Sequence, residues 1–165
     1  MKATILPRRF YARPTVEVAR GLLGCVLEYS GRGGRIVEVE AYLPDGDEAA
    51  HAWRGRTART EVLYGEPGHA YVFLNYGIHH CLNVVAEPVG TPGCVLIRGV
   101  GGLGDGPGKL TRAAGITLAE NGCDLTRGPI VILRGEPPAG VEQTTRIGIT
   151  RSAHLVLRFV AKDVE

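Results

Sequence analysis

The sequence predicts an α+β fold: one compact domain built on a mostly antiparallel, hairpin-connected sheet with flanking helices. Three observations carry that expectation. Strand-like runs recur, separated by short turns rich in Gly and Pro. Helical patterns are few. Strands and helices do not alternate as they would in a doubly wound fold. The chain has 165 residues, enough for one domain with a substantial core. No linker or internal repeat divides it, so a single domain over residues 1–165 is expected.

The elements follow in order. Residues 15–23 fit a short helix with Val16, Ala19, Leu22 and Leu23 toward the core and Gly24 as its stop. Residues 25–29 fit a strand, and the glycine-rich stretch 31–34 a turn into the next strand, 35–42. In that strand successive side chains point to opposite faces. Val37, Val39 and Ala41 would share the core face, and Ile36, Glu38, Glu40 and Tyr42 the other. A carboxylate beside an aromatic suits a site that holds a flat ring and activates a water next to it. A half-buried edge strand with a solvated Glu face fits the same alternation.

Residues 44–55 fit a polar loop, or a short helix around 47–51. Residues 54–59 are basic and irregular. Pro67-Gly68 turns into a strand at 70–75, Tyr76-Gly77 breaks it, and 80–86 returns. Residues 94–98 form an apolar strand ending in Arg98. After the glycine-rich stretch 99–108, Pro107 suits the first position of a helix, with Leu110, Ala113, Ala114 and Ile116 inward. Strands are expected at 131–133, 146–150 and 155–160.

Bulk properties narrow the function classes. Hydrophobic content is 44% and charged content 22%, ordinary for a globular protein. No apolar run is long enough to span a bilayer, and the start of the chain lacks a signal-peptide h-region. A cytoplasmic location, with the nucleoid in a prokaryote, is the expectation. Cys25, Cys81, Cys94 and Cys123 form no C-x-x-C pair, against a zinc knuckle or a thioredoxin-like motif. Cys81 and Cys94 lie in apolar stretches, where free Cys packs as a small hydrophobe. The net charge of +2 is too small to identify a nucleic-acid partner. Nearly all the positive charge is Arg, which suits phosphate recognition; a GC-rich genome gives the same bias, and 24 glycines agree with that source.

Gly99-Val-Gly-Gly-Leu-Gly104 matches G-x-G-x-x-G after a strand. However, Asp105-Gly-Pro-Gly108 intervenes before the helix, and no βαβ unit surrounds it. Gly108-Lys109 is not a Walker loop, because Leu103 and Leu110 occupy its required positions. Glu38, Glu40 and His51 could converge as a metal site, yet the five histidines show no H-x-x-x-H or H-E-x-x-H spacing. Neither a metal nor a nucleotide cofactor is expected. Arg54, Arg56 and Arg59 make a basic loop, either solvated surface or a phosphate contact. Tyr76, where the chain turns between two hydrophobic strands, is poorly placed for the core and well placed to wedge into a base stack. A packing or interface tyrosine is the other reading.

Taken together, the motifs resemble one family. The run from Gly34 through Glu40 to Tyr42, Asp47-Glu-Ala-Ala-His51, Arg54-Gly-Arg-Thr57, Gly68-His-Ala-Tyr-Val72, Tyr76-Gly77, Cys81-Leu-Asn83 and Cys94-Val-Leu-Ile-Arg98 resemble, in order and spacing, the alkyladenine (3-methyladenine) DNA glycosylases. Gly106-Pro-Gly-Lys-Leu110 and Arg146-Ile-Gly-Ile149 are similar too, so the likeness covers roughly residues 10–160. It implies a curved antiparallel sheet with a protruding β-hairpin, and excision of alkylated or deaminated purines from duplex DNA by base flipping. Glu40 would be the general base on the attacking water. Arg98 and the Ile147 carbonyl would help hold that water. Tyr42 and His51 would flank the flipped base, with Phe73 at the pocket wall. Asn83 would crowd the exocyclic amine of guanine. Tyr76 would fill the gap in the duplex, and Arg54, Arg56, Arg59 and Lys109 would meet its backbone. The partner would be double-stranded DNA with damaged purines, bound by a monomer with no obligate protein partner. The sequence departs from the family at Phe73, where many relatives have Tyr, at Asn75, at Trp53 and in the glycine content of 99–104. These bear on substrate range more than on reaction.

The chemistry fits the residue inventory independently. The glycosidic carbon is inaccessible in a stacked duplex, so the base must be extruded. N-glycosidic cleavage develops oxocarbenium character, which a nearby carboxylate stabilises. Electron-rich aromatic faces attract a cationic alkylated base, by about 0.5–2 kcal/mol each. A lyase would need an activated lysine, and Lys109, in the first turn of a helix, is the only one near the motifs. Water attack, without lyase activity, is expected. A catalytically silent damage-binding domain is the alternative, and a metal-dependent hydrolase a third.

Overall fold

The computed structural model describes residues 3–163. Met1, Lys2, Val164 and Glu165, which the single-domain reading takes in, lie outside the described residues.

One antiparallel sheet organises the molecule. Its strands are β1 (Val26–Tyr29), β2 (Arg32–Tyr42), β3 (Ala70–Asn75), β4 (His79–Ala86), β5 (Gly93–Val100), β6 (Gly104–Asp105), β7 (Ile130–Leu133), β8 (Gly140–Thr144) and β9 (Arg158–Lys162). The main order is β3-β4-β5-β2-β1-β7. The helices are α1 (Arg8–Tyr11), α2 (Thr15–Leu22) and α3 (Pro107–Ala114). This is the α+β class expected, with the sheet curled into a half-barrel. No described helix is long and apolar enough to cross a membrane.

Strand β2 sets the curl. Along one edge it pairs first with β1 and then, from Glu38, with β9; along the other it pairs with β5. Its register against β5 shifts between Ile36 and Glu38 and again at Val39. Such bulges bend a strand and re-aim side chains. Simple alternation therefore fails at this point. Ile36 joins Val39 and Ala41 in the buried core, while Val37 is only half-buried. The Glu38, Glu40, Tyr42 phase holds past the bulge.

The β1–β2 turn is tighter than expected. Tyr29 pairs with Arg32, leaving Ser30 and Gly31 as a two-residue loop with φ of 52° and 75°. Two positive φ angles define the hairpin turn whose twist matches its strands. Gly33 and Gly34 belong to β2 instead.

Helix α2 buries Thr15, Val18, Ala19 and Leu22. In α3, Pro107 starts the helix and Gly115, at φ 81°, ends it in the left-handed region. Leu110, Thr111 and Ala114 face inward with Ile116 beyond, whereas Ala113 is exposed, one position off the predicted stripe. The main core, including Leu22, Val84, Val95 and Phe159, lies between helices and sheet. Val85 and Cys94, the alternate residues on the same strands, join a second cluster with Leu63 and Tyr71. That second face carries the candidate site.

Two strand positions need correction. Residues 146–150 form no strand; the strand lies earlier, at β8, where the polar Glu142 and Gln143 hid it. The last strand is Arg158–Lys162, displaced from 155–160. Of the two readings of 44–55 the loop holds, with a 3₁₀ turn over His51–Arg54.

Candidate active site

The second face of the sheet encloses a cavity of about 260 Å³. Tyr42 and Glu40 of β2, Phe73 of β3, Asn83 of β4 and Arg98 of β5 line it, with His51 and Ile147 from the flanking loops. The sheet and its flanking segments thus bring together eight of the residues singled out in the sequence, Tyr76 of the β3–β4 turn among them.

Glu40 lies at the inner end and is fully buried. Three donors approach its carboxylate. Tyr42 donates its hydroxyl to Oε1 at 3.0 Å, and the Ile147 backbone N–H donates to Oε2 at 2.8 Å. Arg98 Nε lies 3.7 Å from Oε2. Burial pushes the Glu40 carboxyl above its usual range, against the pull of the Ile147 N–H, Arg98 and the Tyr42 hydroxyl. The outcome is a buried carboxylate of raised basicity, suited to accepting a proton from water. The Tyr42 hydroxyl is pushed up by burial and by Glu40, so it stays a donor.

The opposite wall is aromatic. His51 Nδ1 lies 2.8 Å from the Tyr71 hydroxyl, and its ring packs against Phe73 with centroids 4.4 Å apart. Burial, and secondly Arg59, lower the His51 pKa to about 4, so its imidazole is neutral near pH 7. Tyr71 also lines the cavity and is 1% exposed. Asn83 is buried; its amide donates to the Tyr71 carbonyl at 3.2 Å, and its Oδ1 accepts from Cys94 Sγ at 3.7 Å.

A pair not foreseen in the sequence holds the walls together. Arg146 meets Asp47 through two bonds of 2.7 and 2.8 Å, both side chains fully buried. Arg146 also donates to the Ala41 carbonyl at 3.0 Å and stacks on the Tyr42 ring at 4.7 Å. It fixes the residue next to Ile147, and so the N–H that meets Glu40. The only sequence signal was an Arg and an Asp each inside a recognised motif; 99 positions separate them.

The comparisons decide the family. The methylpurine-DNA glycosylase family model matches residues 9–103 and 100–165, nearly the whole chain. The chain belongs to the methylpurine-DNA glycosylase family. A relative from Methanoculleus marisnigri is 46% identical, covering 95% of this chain and 95% of that protein. One from Carboxydothermus hydrogenoformans is 45% identical over 96% of each. One from Rickettsia felis is 40% identical, over 99% of this chain and 96% of its own. Each is named "Putative 3-methyladenine DNA glycosylase". The role is that of a DNA glycosylase, a hydrolase of N-glycosyl bonds with DNA as substrate.

Of the remaining residues, Tyr76 lines the cavity at its mouth and the basic ones lie outside it. Tyr76 is 80% exposed at the β3–β4 tip, at the cavity mouth. The basic loop is not uniform. Arg56 makes a bidentate pair with Glu61, at 2.6 and 2.8 Å, and lies over Tyr64. Arg59 lies over the Phe73 ring at 5.3 Å. Arg54 makes no ion pair among the described residues. Lys109 is exposed, 3.8 Å from Asp105. No cluster of three or more metal-type side chains occurs among the described residues.

Proposed function

We propose that the protein is a monofunctional glycosylase that flips alkylated or deaminated purines out of duplex DNA and hydrolyses the N-glycosidic bond with a Glu40-activated water. The observation that carries this reading is Glu40: fully buried, held by two hydrogen bonds, at the inner end of an aromatic-walled cavity.

The extruded purine enters between the Tyr42 ring and the His51–Phe73 wall. A cationic alkylpurine gains from those ring faces, and a neutral His51 adds no repelling charge. Asn83 limits the room at the purine edge, which disfavours guanine through its exocyclic amine. Glu40 accepts the proton of a water aimed at the anomeric carbon, and its charge stabilises the oxocarbenium character that develops there. Arg98 and the Ile147 backbone orient the carboxylate and the water. The departing bond electrons go to the purine: a cationic alkylpurine leaves neutral, and a deaminated purine leaves as its anion and takes a proton from solvent. Lys109, exposed and away from the cavity, forms no covalent intermediate.

The test is a duplex carrying one hypoxanthine or alkyladenine, incubated with the protein in chelator. Abasic sites that become strand breaks only after alkali treatment are expected. Spontaneous strand cleavage would indicate a lyase, and activity lost in chelator but restored by metal would indicate a metal-dependent hydrolase. Tight lesion binding with no abasic product would leave a damage-binding domain.

A further inference from the structure

Glu38 shares the active-site face with Glu40 but touches no part of the base cavity. Its Oε2 accepts from Arg158 Nε at 2.6 Å and from Arg98 Nε at 3.2 Å. The same Arg98 nitrogen lies 3.7 Å from Glu40 Oε2. Two carboxylates therefore compete for one guanidinium, and the nearer one is not the proposed base. We propose that Glu38, anchored by Arg158, is a positioning residue that holds Arg98 partly away from Glu40 and so sets the pH range over which Glu40 works as a base. This rests on Glu40 being the general base.

The fold builds the arrangement. Arg158 is the β9 register partner of Glu40 and reaches diagonally to Glu38. The bulge in β2 places Glu38 opposite Gly99 of β5. A Cβ on Gly99 would lie 3.1 Å from the Glu38 Cβ and 3.3 Å from Val37 Cγ2, tighter than ordinary contact. The first glycine of the G-x-G-x-x-G run thus makes room for the Glu38 side chain.

The charges around Glu40 are few. Tyr42 and Glu38 come from β2, Arg98 from β5 and Arg158 from β9. Arg146 approaches from the loop after β8, its charge met by Asp47. The Cys81 thiol of β4 is pushed up to about 11 by burial and stays neutral. With Arg98 given wholly to Glu40, the carboxylate would be a tight ion pair and a weak base. An opposite charge favours the ionised form, and a like charge disfavours it. Removing Glu38 therefore strengthens Arg98 at Glu40 and lowers the pH at which Glu40 ionises. Removing Arg158 leaves Glu38 uncompensated, draws Arg98 further away and raises it.

The experiment measures single-turnover excision against pH with a duplex carrying one cationic N-alkylpurine, whose release needs no added proton. The midpoint of the acid limb is expected to fall by about half a pH unit or more in Glu38→Gln and to rise similarly in Arg158→Gln. The double variant is expected to keep the downward shift of Glu38→Gln, because without Glu38 there is no carboxylate left for Arg158 to anchor. A pair that only ties β9 to β2 would scale the rate by one factor at every pH; unmoved midpoints, or two shifts of the same sign, overturn the proposal. If Arg158→Gln does not fold, the sign of the Glu38→Gln shift decides alone, an absent or upward shift counting against it. Glu40→Gln is the control. If it keeps excision and its acid limb, the general-base reading falls and this inference with it. If it loses both while Glu38→Gln and Arg158→Gln leave the limb unmoved, only this inference falls.

Discussion

At the residue scale, the site depends on which groups are charged. His51 is neutral when folded because burial and Arg59 hold its pKa near 4, well below its usual 6.5. Between those values the unfolded chain binds a proton that the folded chain refuses. Stability therefore rises with pH across that window and is lost as pH falls through it. Replacing His51 removes that dependence. Melting curves from pH 7 to 4 are expected to show a smaller fall for His51→Gln than for the wild type. Equal falls would mean that the His51 ring takes a proton in the folded state. Glu40 is perturbed in the opposite direction: burial raises it, so its ionised form is held against a cost that the Ile147 N–H, Arg98, the Tyr42 hydroxyl and the charge of Arg146 offset. In the proposed mechanism Tyr42 and Ile147 therefore belong to the base as much as to the pocket.

At the element scale, the β3–β4 hairpin projects a side chain that the core does not use. Tyr76 sits at φ 53° and Gly77 at φ 66°, in a three-residue loop closed by the Asn75–His79 pair. A bulky residue in the left-handed region is unusual and strained. Ile78 beside it is 67% exposed. Tyr76→Ala is expected to weaken binding to a duplex with an abasic analogue and to slow excision from a stable lesion pair more than from a mismatched one. Its melting temperature is expected to hold. A large drop in melting temperature with unchanged abasic-duplex affinity would instead mark a packing tyrosine. The hairpin was legible because two apolar runs flank Tyr-Gly. The Glu40 face was legible because alternation past the bulge is regular. What failed were features with no local signature. The bulge that moved Ile36 into the core depends on β5 and β9 lying on either side of β2. The Arg146–Asp47 clamp joins loops 99 positions apart. Strand β8 is held by pairing with β9 and carries no apolar pattern of its own.

At the scale of the whole molecule, the proposed activity requires one protein to hold any duplex loosely and to release one damaged base. Its net charge of +2 makes a weak general attraction, so local cations matter. Arg54 and Arg59 are free of carboxylate partners among the described residues, whereas Arg56 is neutralised by Glu61. Deleting a cation that neutralises one phosphate should make the slope of log affinity against log salt shallower by about 0.9. That change is expected in Arg54→Ala and Arg59→Ala, equally on damaged and undamaged duplexes, and a smaller one in Arg56→Ala. Unchanged slopes in all three would return the loop to ordinary solvated surface. These cations lie at the surface and Glu40 is buried, so binding and chemistry should separate. The most direct test is Glu40→Gln, which keeps the shape and removes the base. Single-turnover excision should fall by about 100-fold or more while affinity for the lesion duplex stays near that of the wild type. Near-normal excision by Glu40→Gln would contradict the account.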